Sequence, residues 1–219
     1  MNDVVLGICG IVGGCLCAVG DVLFDWKGPG NKRTGPSGII DSNWVKMSAW
    51  RFKASIIAAA CGVPLYLLGF LGMSHQLAES NKTLASLFLI SAVIGSAGGL
   101  FIHVLTCCFP LMSQALQEKE ADPEILELLA ARIFQAVKIP FIVMFCFLVI
   151  ATSLILMVAI GTGNLSVAPI FYWWNPLMLM VTGWLFRLIN KERFADLPGI
   201  MMPSVGIAMI GLMTVLSAL

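Results

Sequence analysis

Apolar residues run in six long blocks separated by short polar stretches. The blocks are Val4–Phe24, Phe52–Met73, Leu84–Cys108, Ile139–Gly161, Ile170–Ile189 and Gly199–Leu219. Each is about 20–25 residues long, enough at 1.5 Å per residue to cross a hydrocarbon layer of about 30 Å as a helix. The pattern predicts an all-α polytopic membrane protein, a bundle of six transmembrane helices. The longest connection, 109–138, runs to 30 residues and leaves no room for a soluble domain. Residues 1–219 therefore read as a single integral membrane domain. Met1-Asn2-Asp3 lacks the basic region of a signal peptide, so the first block reads as a retained helix.

The polar stretches carry their own pattern. Asp122 and Pro123 give a helix start, with Asp as N-cap and Pro at the first helical position. Ile125, Leu128, Leu129, Ile133 and Val137 then recur at helical spacing opposite Glu124, Glu127 and Arg132. This predicts a short amphipathic helix, Pro123–Val137, lying at the membrane interface before the fourth span. The first connection is turn-rich (Gly28-Pro29-Gly30, Gly35-Pro36, Gly38) and reads as an irregular basic loop. Trp44 and Trp50 suit an aromatic belt at one face, and Tyr172, Trp173 and Trp174 suit one at the other.

Charge orients the bundle. The first, third and fifth connections hold twelve of the thirteen Lys and Arg residues, and Lys82 is the exception. The positive-inside rule then places loops 1, 3 and 5 in the cytoplasm and both termini outside. Composition agrees, with 59% hydrophobic residues, 11% charged residues and a mean hydropathy of +0.94. A soluble chain carries roughly twice that charge. The net charge of +1, spread over membrane-proximal loops, argues against nucleic acid and for contact with membrane lipids.

Small residues mark two helix faces. Gly7, Gly10, Gly14 and Ala18 lead to Asp21 and Asp25 on the first span, and Ser91, Gly95 and Gly99 lead to His103 on the third. Such faces let backbones approach closely in lipid, so the first and third helices are expected to pack together through glycine. Asp21 and His103 then fall at similar depth.

An ionisable side chain within a span costs about 2.5–3.5 kcal/mol at the helix centre, so Asp21 and His103 call for partners or tasks. Asp25, Arg51, Gln114 and Lys138 fall at the same depth, and the six together form the candidate ligand-binding set. The leading expectation is a polar cavity, open to the cytoplasmic side, that binds a small molecule or lipid, with Arg51 or Lys138 meeting an anionic headgroup. A membrane-embedded enzyme using Asp21 and His103 as an acid–base pair on a lipid-like substrate is the first alternative. A proton-coupled carrier or a structural subunit is the second. No metal and no cofactor is expected, because His75 falls at the far side from His103 and the seven cysteines show no zinc spacing. The vicinal pair Cys107-Cys108 lacks the second pair a thiol redox enzyme needs.

Gly20-Asp21 at the end of the first span, Ser42-Asn43-Trp44, Trp50-Arg51-Phe52 and Gly62-Val63-Pro64-Leu65-Tyr66 resemble the pattern of a family of uncharacterised bacterial multi-pass membrane proteins. The resemblance covers about a quarter of the chain. It implies a bacterial inner-membrane location and brings no activity.

Overall fold

The computed structural model describes residues 2–34, 38–120, 122–201 and 203–219; the expected turn at Gly35-Pro36 lies outside the described residues. The chain is an all-α membrane protein. Its helices are α1 (Asp3–Asp25), α2 (Ala49–Ser80), α3 (Lys82–Glu118), α4 (Pro123–Met144), α5 (Thr152–Gly161), α6 (Pro176–Ile189), α7 (Leu197–Met201) and α8 (Pro203–Ser217). Five stretches are long and apolar enough to cross a membrane: Asp3–Asp25, Ala49–Ser80, Lys82–Glu118, Glu124–Gly161 and Leu197–Ser217. Outward stripes such as Ile8, Val12 and Val19 on α1 and Leu87, Ile90 and Val93 on α3 are half exposed. In water such stripes favour aggregation, and in lipid they are simply solvated.

The expected span Ile170–Ile189 is helical in one piece only from Pro176, giving 14 residues, or about 21 Å. The reason is local. Proline disfavours helical backbone at the residue before it, and Asn175 is extended at φ −129° and ψ 167°. Its Oδ1 instead caps the helix, accepting from Met178 N at 3.1 Å.

The stretch expected to lie along the interface is the first part of a longer rod. Asp122 Oδ1 accepts from Glu124 N at 2.9 Å, as the Asp-Pro start predicts. From there the helix runs through Pro140 and a π-helical segment, Phe145–Ala151, into α5 without a break. Leu126 and Ala130 are buried in an apolar cluster with Ile40, Trp44, Phe52 and Phe109, while Ile125, Leu128 and Leu129 are exposed. Trp44 thus belongs to the core and not to an interfacial belt, whereas Trp50, Trp173 and Trp174 are exposed.

Glycine packing falls on different helix pairs from those the sequence suggested. The small face of α1 meets α2 and α8, not α3. At the junction, a Cβ built on Gly10 would stand 2.9 Å from Gly69 Cα and 3.0 Å from Gly211 Cα. Glycine on all three helices permits that approach, and α3 carries no counterpart facing it. The glycine face of α3 packs instead on the π-helical segment, where a Cβ on Gly95 would collide with Leu148.

Antiparallel packing gives the bundle two polar ends. At one, His75 Nδ1 lies 3.2 Å from Asp3 Oδ1, and Ser217 meets Gln76. The other end holds the C-terminus of α1 and a two-stranded ribbon, β1 (Arg33–Thr34) paired with β2 (Ile40–Asp41).

Candidate functional site

Asp21 and Asp25 lie one turn apart on α1, so they share a face. That face meets His103 of α3 above Ser55 of α2. His103 Nδ1 is 3.7 Å from Asp21 Oδ1, and its Nε2 is 2.8 Å from Ser55 Oγ. Ser55 Oγ also donates to the Gly20 carbonyl at 2.8 Å. Gly20 lets α2 come this close, since a Cβ there would lie 3.3 Å from the Ser55 carbonyl. Cys107 Sγ approaches the same hydroxyl at 3.6 Å.

A hydroxyl has one hydrogen. With that hydrogen on the Gly20 carbonyl, the imidazole must donate from Nε2. Nδ1 then faces Asp21 Oδ1 at 3.7 Å, an ion-pair separation when His103 is protonated and beyond hydrogen-bond reach. Asp21 Oδ2 is buried with no hydrogen-bond partner, although the Ser204 hydroxyl is a close polar neighbour.

These groups form one side of a cavity of about 260 Å³. Asp21, Asp25, His103 and Ser204 supply its polar wall; Phe24, Val63, Phe145 and Leu148 are among its apolar lining. Phe141, at the rim, is 41% exposed. The π-helical segment supplies Phe145, Leu148 and Val149, and the wider turn there re-aims side chains toward α3.

Of the six residues singled out from sequence, the structure brings Asp21, Asp25 and His103 to this cavity. Arg51 does not line it. Its Nη2 donates to Trp26 O at 2.8 Å and Val22 O at 3.3 Å, placing a cation on the negative end of α1. Gln114 is occupied elsewhere, donating to the carbonyls of Trp44 and Met47 at 2.7 and 2.6 Å. Lys138 is exposed on α4. The anionic headgroup expected to meet Arg51 or Lys138 therefore has no cation waiting in the cavity.

A charged latch stands beside the cavity; pairing of Asp25 with Lys27 or Arg51 is what their nearness suggests, and the structure chooses Lys27 and adds Asp41 and Asp196, which the sequence did not point to. Lys27 Nζ contacts Asp25 Oδ1 at 2.8 Å and Asp41 Oδ2 at 3.4 Å. Asp196, just before α7, accepts from the backbone N–H groups of Lys27 and Gly28 at 2.9 and 3.1 Å. Asn43 Nδ2 donates to the carbonyls of Lys27 and Pro29. Burial alone lowers the pKa of Lys27, but Asp25, Asp41 and Asp196 outweigh it and hold the ammonium above its usual range. Ser55 was also missed, since a serine in an apolar run gives no signal until its neighbour is known. Among the described residues, no three His, Cys, Asp or Glu side chains converge as a metal-ligand set.

The chain belongs to a family of unknown function (DUF6796), whose model matches residues 1–219. Neither the curated proteins nor the solved structures contain a match.

Proposed function

We propose that this is a bacterial inner-membrane protein that binds a small amphipathic molecule or a lipid in the Asp21–His103 cavity. The carrying observation is the cavity's composition: about 260 Å³ of mostly apolar space with two carboxylates and an imidazole on one wall. Ligand sites commonly combine an apolar lining with a few convergent polar groups. In this reading all six apolar blocks span the bilayer, α6 completing its crossing with the irregular segment before it. The basic loops lie in the cytoplasm, so the cavity opens toward the cytoplasmic leaflet.

An Asp–His–Ser line of contacts also invites comparison with hydrolytic enzymes. Ser55 argues against nucleophilic use. It is fully buried, it does not line the cavity, and its hydroxyl donates to Gly20 O. A proton-coupled carrier is the better second reading, because Asp21 and His103 are two titratable groups 3.7 Å apart within the helical bundle.

Solvent extraction of purified protein followed by mass spectrometry tests the proposal. A compound recovered in stoichiometric amount from the wild type and depleted in Asp21→Asn supports it. Identical extracts from both proteins, matching the bulk membrane, would count against the site.

A further inference from the structure

One carboxylate of the cavity wall, Asp25, already holds an ammonium, the protein's own. Lys27 Nζ sits 2.8 Å from Asp25 Oδ1 and 5.6 Å from the centroid of the Phe24 ring, and both partners line the cavity. One helical turn deeper a second carboxylate, Asp21, borders the same space, which Phe24 also lines; it faces His103 through Oδ1, while Oδ2 is buried without a hydrogen bond and has the Ser204 hydroxyl as a close polar neighbour. Among the described residues lining the cavity there is no Lys or Arg. A carboxylate beside aromatic rings selects a cation, by charge and by the ring quadrupole.

We propose that the cavity binds a hydrophobic primary amine, its ammonium on Asp21 and its apolar body against Phe145, Leu148 and the rim at Phe141. This rests on the reading of the cavity as a ligand site and names the ligand's chemistry. When His103 is protonated as the counter-ion of Asp21, the bound ammonium takes over that charge and the imidazolium proton leaves to solvent. No covalent bond changes. The titratable groups around Asp21 are Cys17 and Asp25 on α1, Tyr66 on α2, and His103 and Cys107 on α3. His103 is the one with a ring nitrogen directed at the carboxylate, and it is the proton's source. The same ammonium chemistry can come from a free amine or from an ethanolamine lipid headgroup, whose tail would leave past Phe141.

The test is isothermal titration calorimetry of the full chain in phosphatidylcholine nanodiscs, with empty discs subtracted. The probes are 4-phenylbutylamine, 4-phenylbutanol and 4-phenylbutyrate, alike in body and different in head. The expected result is saturable binding of the amine at least about tenfold tighter than the alcohol, with the acid weaker still. Heats measured in two buffers of different ionisation enthalpy should report proton release that rises as pH falls and His103 becomes protonated, up to about one per amine bound. Asp21→Asn should erase the amine's advantage. The wild-type comparison stands alone if that variant fails to fold. Equal or tighter binding of alcohol or acid overturns the ammonium assignment and leaves the cavity as a ligand site. Absence of saturable binding by all three overturns both. Where the amine wins, repeating the titration in phosphatidylethanolamine discs names the source. Weaker apparent affinity there assigns the seat to the lipid headgroup, and unchanged affinity assigns it to a free amine.

Discussion

Replacing Lys27 with methionine keeps the length of the side chain and removes its charge. The Lys27 side chain is 12% exposed, Asp25 23% and Asp41 9%, so the pair lies between a surface salt bridge and a buried one. At an effective dielectric near 20, contacts of 2.8 and 3.4 Å are each worth about 5–6 kcal/mol of attraction before desolvation. Taking the ammonium out of water returns several kcal/mol of that. Exposed pairs contribute about 0–1 kcal/mol, and breaking a buried pair costs about 3–5. The expected loss is therefore about 2–4 kcal/mol, most of it from leaving Asp25 and Asp41 without a cation. Lys27→Met/Asp41→Asn should recover part of the loss by removing one of those orphaned charges.

The pH dependence follows from the direction of the Lys27 shift. Its folded pKa lies above the ordinary 10.5, so the latch contributes fully below about pH 10.5 and fades as pH rises through the folded value. Reversible unfolding in mixed bicelles, followed by circular dichroism, gives the stability of both proteins at each pH. A difference below about 0.5 kcal/mol at neutral pH, the scale of a surface substitution, would refute the buried-latch reasoning. So would a difference that vanishes well before the lysine range.

Two further predictions concern packing and the imidazole. Gly10→Ala should cost about 1–3 kcal/mol, because its Cβ meets the backbones of Gly69 and Gly211, which cannot rotate away. Ile8→Ala, on a half-exposed position of the same helix, should change stability far less in the same unfolding assay. In protein labelled with ¹⁵N-histidine and carrying His75→Gln, His103 should show a protonated Nε2. Ser55→Ala should move the Nε2 resonance and cost about 1 kcal/mol. An Nε2 resonance unaffected by that substitution would break the Ser55–His103 link.

The class of fold was legible because lipid leaves so few options. A backbone that must satisfy itself within apolar blocks has to be helical, and the blocks gave α1, α2 and α3 to within a few residues at most of their membrane ends. The Asp122-Pro123 start was equally plain, since the cap is a local interaction. Helix partners were not legible. Gly10 announces a close approach but not to whom, and Gly69 and Gly211 lie 59 and 201 residues away in sequence. Asp21 and His103 stood out because charge in a span is costly. Arg51, Gln114 and Lys138 shared their depth, but depth along the bundle axis does not say which way a side chain faces. Arg51 and Gln114 turned to backbone carbonyls at helix and loop ends, which no side-chain pattern encodes. Within the Lys27 latch the contact with nearby Asp25 was legible, while Asp41 and Asp196, 14 and 169 residues from Lys27, were not, because loop folding and not spacing brings them in.

The central claim is that the space bounded by Asp21, His103 and the π-helical segment is occupied by a ligand. Ala59, 4% exposed on α2, lines that space without joining its polar wall. Ala59→Phe fills part of the cavity and leaves Asp21 and His103 chemically intact. Native mass spectrometry of this variant, gently released from its host membrane beside the wild type, decides the matter. The account predicts a discrete added mass on the wild type that is absent from the folded Ala59→Phe protein. The same added mass on both, or a bare polypeptide in the wild type, would contradict it.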